Sequence, residues 1–284
     1  MKKIIVTGCN GQLGKAINQV FADEADVTCV NTDVAELDIT NIDEVMKFVK
    51  DVNPYAIINC AAHTNVDACE TEFDKAFRIN AMGPRNLSIA SSEVGAKLVH
   101  ISTDYVFPGD GRRPYREFDE IGPKSAYGET KYIGEKMVRQ FADRYYIMRT
   151  AWMYGDGKNF VKTMLRIAEN NNSVTVVDDQ IGTPTYSVEL AKAIASQLKT
   201  DNYGTFHSTC EGQCSWYDFT KEIYRLAGKK MDVIPVSTEE YLAKFPAQAH
   251  RPAYSVLDNY MLRMTTGYKF AEWHDAFAAY METL

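Results

Sequence analysis

The sequence predicts an α/β fold: a doubly wound parallel sheet with a smaller C-terminal substrate-binding region. Two observations carry this. Short, continuously apolar segments alternate with amphipathic ones over residues 1–151, which is the pattern of strands covered on both faces by crossover helices. The first apolar segment also runs straight into a glycine-rich turn, Gly8-Cys9-Asn10-Gly11-Gln12-Leu13-Gly14. Right-handed crossovers make such a sheet doubly wound.

Lys3 to Thr7 is β-branched, apolar and ended by glycine, so it reads as a short buried strand. Gly11 to Phe21 reads as a helix with Leu13, Ile17, Val20 and Phe21 on one side. Val27 to Val30 is the second strand. Thr40, with Asp43 three residues on, reads as the cap of a helix through Val45, Phe48 and Val49, which Pro54 ends. Ala56 to Cys60 is the third strand. A helix through Ala76, Ile79 and Leu87 follows, with an interruption expected near Gly83-Pro84. Lys97 to Ser102 and Tyr145 to Arg149 are the fourth and fifth strands, separated by a helix from Tyr127 to Phe141. After residue 151 the rhythm breaks. Helices are expected around Phe160 to Ala168, Val188 to Leu198, Trp216 to Ala227 and Ala271 to Thr283, with loops at Gly155 to Lys158 and Asp178 to Pro184. Residues 152–284 are therefore expected to form mainly the substrate-binding region, with some return to the first domain.

Composition narrows the classes of function. The net charge of -7 argues against a general nucleic-acid binder. Ile4-Ile5-Val6 is too short for a secretory apolar core, and no stretch approaches the ~20 apolar residues of a membrane span. The expectation is a cytoplasmic protein with free thiols, because none of its six cysteines forms Cys-x-x-Cys.

The glycine turn lies between a predicted strand and a predicted helix, which is where a dinucleotide needs it. Glycines permit the tight turn and let backbone approach a pyrophosphate at the helix N-terminus. Asp33 follows the second strand, about twenty residues on, where a carboxylate accepts from a ribose hydroxyl. Asp38 and Ile39 flank the adenine in this reading. No Arg or Lys lies between Val30 and Asn41, so no clamp for a 2′-phosphate is evident there, though Lys15 stands near; the cofactor is NADP(H) or NAD(H). Ala61, Ala62 and Thr64, after the third strand, are small enough for backbone to pass under the cofactor. His63 reads as a polar loop residue. No metal is expected, because no third ligand accompanies His63 and Asp67.

Tyr127 and Lys131 are four residues apart on a predicted helix, hence on one face. A phenol with a pKa of about 10 is a poor acid–base catalyst at neutral pH, and a nearby cation favours its phenolate. A shift of roughly three units takes about 4 kcal/mol, which a lysine and a nicotinamide cation supply together. The chemistry indicated is hydride transfer, with tyrosine moving the proton. Ser102, Thr103 and Asp104 end the fourth strand, where such folds place ligands, and a hydroxyl there can orient a carbonyl beside the tyrosine. Trp152 suits either a ligand wall or packing. Arg251 suits either a bidentate diphosphate contact or a solvated loop.

These segments, together with Asn59 to Asp67, Thr103-Asp104-Tyr105-Val106-Phe107, Arg149 to Trp152, Gln180-Ile181-Gly182-Thr183-Pro184-Thr185 and Arg251-Pro252, occur in an order that resembles the dTDP-4-dehydrorhamnose reductases. These are extended short-chain dehydrogenases/reductases with a Rossmann-type fold, and the spacing of the glycine turn is similar to theirs. The resemblance implies reduction of a nucleotide-sugar C4 ketone. Tyr127 would act as proton donor, Lys131 would tune it and hold the nicotinamide ribose, Thr103 would hold the carbonyl, and Ser102 would lie at the cofactor. Asp104, Trp152 and Arg251 would contact substrate. Some members carry a divalent metal at a dimer interface, with an acidic residue where this chain has Lys15. The oligomeric state is expected to be monomer or homodimer. A related epimerase or dehydratase, and a non-catalytic cofactor-binding regulatory subunit, are the alternative readings.

Overall fold

The computed structural model describes residues 1–246 and 249–284. β1 (Lys2–Thr7) turns at the glycines into α1 (Gln12–Phe21), and β2 (Val27–Thr32) pairs with β1 in parallel, Thr7 opposite Thr32. α2 (Ile42–Val52) is capped by Asn41, whose side chain accepts from the amides of Asp43 and Glu44. The Thr40 hydroxyl, expected as the cap, donates to Asp38 instead. A cap must directly precede the first helical residue, and that position is Asn41.

β3 (Ala56–Asn59) leads into α3 (Val66–Thr71), α4 (Phe73–Phe77) and α5 (Gly83–Glu93), with a π-helical turn at Arg78–Met82 before α5. The interruption expected at Gly83-Pro84 is therefore a widened turn rather than a break. Pro84 sits at the start of α5, where its missing N–H costs little. The π turn buries Asn80. Its side chain accepts from the His63 amide at 2.8 Å and donates to the His63 carbonyl at 3.1 Å and to the Thr130 hydroxyl at 3.2 Å.

β4 (Lys97–Thr103) is followed by α6 (Ala126–Phe141), capped by Ser125, and by β5 (Tyr145–Thr150). Then come β6 (Met153–Tyr154), α7 (Phe160–Ile167), β7 (Ser173–Val177), β8 (Ile181–Gly182), β9 (Thr185–Tyr186), α8 (Ser187–Leu198) and β10 (Gly204–His207). The chain ends with β11 (Cys214–Ser215), α9 (Trp216–Leu226), β12 (Asp232–Val236), α10 (Thr238–Lys244), α11 (Tyr260–Thr266) and α12 (Trp273–Met281). None of these helices is long and apolar enough to cross a membrane.

Six strands form one parallel sheet in the order β10-β5-β4-β3-β1-β2. Alternation along β1 feeds both of its faces. Ile4 and Val6 pack with Leu13 and Ile17 of α1 and with Leu190 and Ile194 of α8. Ile5 packs with Val45, Leu87, Leu98, Val138 and Ile147 on the other face. Strand β10 and helix α8 both come from beyond residue 151 and complete this layer. A separate aromatic core of Tyr154, Phe219, Trp273, Phe277 and Tyr280 holds the C-terminal elements together. The strand order reverses between β1 and β3, and that reversal opens a crevice at the carboxyl ends of the strands.

One ionic group sits inside this packing. Arg149 of β5 and Glu135 of α6 are 1% and 0% exposed and bond twice, Nε to Oε1 and Nη2 to Oε2, each at 2.8 Å. The Ser102 hydroxyl of β4 donates to Glu135 Oε1 at 2.6 Å. Burial pushes the Glu135 carboxyl up, but Arg149, Arg139 and Ser102 together hold it below the usual carboxylate range. Removing Arg149 leaves the buried Glu135 carboxylate with only Arg139, at 2.7 Å, and Ser102 as partners, so Arg149→Met is expected to cost up to about 3–5 kcal/mol in urea denaturation. Adding Glu135→Met to it should recover most of that loss.

Candidate active site

The crevice is a cleft of roughly 600 Å³. Gly8, Asn10, Gly11, Gln12 and Leu13 form one wall, and Ala61, Ala62 and Thr64 the floor. Ser102, Thr103, Asp104, Tyr127, Lys131 and Trp152 close the other end. Residues from four strand ends therefore meet in one cleft. Gly8 has φ +63°, and a Cβ there would lie 2.8 Å from the Ala61 amide nitrogen. The turn is thus compatible with glycine alone. Helix α1 has Gly11 at its N-cap and no side-chain cap, so the amides of its first turn, which lines the cleft, are left open. An uncapped helix start beneath a close-packed glycine turn fits the pyrophosphate of a dinucleotide.

Asp33, Asp38, Ile39 and Arg251 stand outside the walls of this cleft. Asp33 lies against the glycine turn, its Oδ2 accepting from the Asn10 amide at 3.3 Å. Asp38 accepts from the Thr40 amide and hydroxyl at 2.9 and 2.8 Å. Ile39 is buried under α5, and its carbonyl accepts from Asn86 at 3.0 Å. Arg251 lines a second cavity of roughly 810 Å³. Its Nη2 donates to Asp67 at 2.8 Å, and Asp67 also accepts from the Ala249 amide at 3.1 Å. Tyr105 and Trp216 line both cavities, which therefore adjoin.

Lys131 is buried, and its ammonium donates to the Ile101 carbonyl at 2.5 Å. Burial brings its pKa down to about 8, against Glu135 and Cys60, which favour the charge. The Tyr127 phenol is pushed above its ordinary value by burial, with Asp104, Tyr105 and Cys69 adding to the rise and the Thr103 hydroxyl opposing it. The phenol is consequently protonated at neutral pH and stands as an acid. The lowering expected from Lys131 is not among these influences, because the ammonium is turned to the strand. The Thr103 hydroxyl donates to Asp104 Oδ1 at 2.8 Å. Asp104 is 3% exposed, and burial raises its pKa to about 6 against the Ser255 and Thr103 hydroxyls. The Ser102 hydroxyl is spent on Glu135, so its side chain braces the cleft from beneath.

Trp152 takes a left-handed φ of +45°. Its ring stacks on Trp216 with centroids 3.6 Å apart and covers Gly182, where any side chain would enter the indole. Trp216 and Asn80 are site-building residues that no motif pointed to. The tryptophan at the start of a predicted helix is visible in the sequence, but its stacking partner, distant along the chain, is not. Lys15, at the position where the resemblance would put an acidic metal ligand, is ion-paired to Asp156 at 2.9 Å and does not fit that role. Among the described residues no group of three His, Cys, Asp or Glu is placed to hold a metal.

The full length, residues 1–284, matches the family model described as RmlD substrate binding domain. The chain belongs to this family. It is 39% identical over 283 residues to the spore coat polysaccharide biosynthesis protein SpsK of Bacillus subtilis, spanning 99% of this chain and 98% of that one. A dTDP-4-dehydrorhamnose reductase from Clostridium acetobutylicum superposes with a TM-score of 0.96 at 51% identity, covering 99% of both chains. The dTDP-4-dehydrorhamnose reductase of Bacillus anthracis, solved in complex with NADP, superposes with a TM-score of 0.96 at 44% identity and covers 100% of both.

The buried ammonium has a testable cost. Its folded pKa lies below the unfolded value, so the penalty is full below about pH 8 and fades as pH rises toward about 10.4. Lys131→Met is expected to abolish turnover yet raise stability by about 1–3 kcal/mol at pH 7. That gain should shrink above pH 8 in a thermal-denaturation series.

Proposed function

We propose that this protein reduces the C4 ketone of dTDP-4-dehydro-L-rhamnose with NADPH or NADH, giving dTDP-L-rhamnose, a precursor of cell-surface polysaccharide. One observation carries the reading. Thr103, Tyr127 and Lys131 meet opposite the glycine turn, in a cleft that opens past Trp216 into a cavity holding Arg251. The two cavities match the two parts of the reaction, a dinucleotide and a sugar joined to a nucleoside diphosphate. Residues 1–151 supply most of the cofactor site, and residues 152–284 much of the sugar-nucleotide wall.

A bound reduced nicotinamide supplies the hydride. Tyr127, kept protonated by burial, gives its proton to the C4 oxygen. The Thr103 hydroxyl rotates from Asp104 to donate to the same oxygen, holding the carbonyl in line and stabilising the charge that develops on it. The Lys131 ammonium swings from the Ile101 carbonyl toward the phenolate left behind and stabilises it, and the proton is restored from solvent. The faces of Trp152 and Trp216 bound the sugar. Arg251 offers its fork to the diphosphate, which takes over from Asp67 as the guanidinium's partner. The position after Asp104 is filled by Tyr105, whose ring packs edge-on against Tyr127 at 5.4 Å. A dehydratase needs a further acid beside the tyrosine, so this neighbour favours simple reduction. Every group used comes from one chain, so a monomer or a homodimer serves equally; the reading takes the reaction to be cytoplasmic.

The test is loss of reduced-nicotinamide absorbance with the purified protein and dTDP-4-dehydro-L-rhamnose. Stoichiometric conversion to dTDP-rhamnose is expected; absence of any oxidation despite cofactor binding would refute the reading. Tyr127→Phe is expected to lower kcat by roughly 10²–10⁴-fold while cofactor affinity stays unchanged. Arg251→Ala should raise the KM for the nucleotide sugar by about 10–100-fold, with a much smaller change in kcat.

A further inference from the structure

We propose that this chain selects NADH over NADPH, and that the loop from Asp33 to Glu36, following β2, makes the choice. The proposal rests on the nicotinamide-cofactor reading above. In a fold of this kind, the adenosine ribose of a dinucleotide lying on the glycine turn reaches the end of the second strand. Here that end carries Asp33. Its Oδ2 accepts from the Asn10 amide at 3.3 Å and its Oδ1 from the Val34 amide at 2.9 Å, which holds the carboxylate against the turn. Each oxygen keeps a further lone pair for a ribose hydroxyl. Glu36 folds back onto the same residue, its Oε2 accepting from the Asp33 amide at 2.8 Å. Two carboxylates thus stand where the extra phosphate of NADPH would have to go.

The neighbouring Cys9 thiol senses the same field: burial raises its pKa, and Asp33 and then Glu36 raise it further. No cation offsets them from within the loop, since no Lys or Arg occurs between Val30 and Asn41. The cations of α1 and α5 are engaged elsewhere. Lys15 of α1 pairs with Asp156 at 2.9 Å. Arg85 of α5 bonds Asn86 at 3.3 Å and lies over the Phe141 ring at 5.0 Å. A 2′-phosphate would meet two anions and no cation from the loop itself, whereas a ribose diol would meet an acceptor. The Bacillus anthracis reductase, with the same fold, was solved with NADP, so the fold itself admits the 2′-phosphate and a preference has to come from local residues.

The experiment is separate titration of the full-length protein with NADH and NADPH, followed by nicotinamide fluorescence at constant ionic strength. NADH is expected to bind at least about tenfold more tightly, the scale of one charge-assisted hydrogen bond. Equal binding, or tighter binding of NADPH, overturns the proposal and leaves the reductase reading intact. Failure of both to bind overturns the two together. Val34 is 77% exposed, so Val34→Arg adds a cation without disturbing the core. It should tighten NADPH by about tenfold or more and leave NADH within about threefold. Asp33→Ser should weaken NADH and not NADPH. If both variants leave the NADH-to-NADPH ratio at its wild-type value, the loop is not the determinant.

Discussion

The buried pair of Glu135 and Arg149 is the contact on which the site's geometry depends. Arg149 comes from β5, Glu135 from α6, and the Ser102 hydroxyl that completes the group from β4. Three separate elements are thereby tied at one point beneath the cleft. Ser102 directly precedes Thr103, and Glu135 lies one helical turn beyond Lys131. The register of α6 against β4 is therefore set by hydrogen bonds with defined directions, where apolar packing alone would permit sliding. Two charges withdrawn from water tolerate little misalignment, because each lost bond exposes the other to its desolvation cost. The same group also supplies the anion that helps keep Lys131 charged in a buried position.

Above that anchor the site holds its polar groups in a state suited to giving a proton. Burial keeps the Tyr127 phenol protonated, brings Lys131 down to about 8 and lifts Asp104 to about 6. All three shifts have burial as their largest cause. The arrangement is costly to the fold and useful to the reaction, since charge that develops in a dry site is stabilised more strongly than in water. The stacked tryptophans extend the same logic to the substrate side. A left-handed Trp152 is strained, and the stack on Trp216 over Gly182 is what holds it there.

Much of this was legible in the chain. The strands of the parallel sheet up to β5 follow from apolar runs, because strands buried on both faces admit few polar residues. The glycine turn, the small residues after β3 and the Tyr127–Lys131 pair were readable because local spacing alone places them on one turn or one helix face. Other features escaped for equally local reasons. β10 has four residues and holds its place by pairing with β5, a partner far off in sequence. The π turn at Arg78–Met82 is held by Asn80 reaching His63 and Thr130, contacts that no periodicity encodes. The choice of Asn41 over Thr40 as cap turned on a single residue of register.

What the sequence by itself determined is therefore the class of fold, the tight glycine turn after β1 and the placing of Tyr127 and Lys131 on one helix face, since each depends on residues within a turn or two of one another. The tertiary structure alone decided the roles that depend on distant partners. It committed the Ser102 hydroxyl to Glu135, turned the Lys131 ammonium to the Ile101 carbonyl, set Asp67 on Arg251, and stacked Trp216 on Trp152 between the two cavities. Burial and hydrogen-bond partners are properties of a folded surface, and a chain displays them only once its crossovers have brought separate strand ends to one crevice.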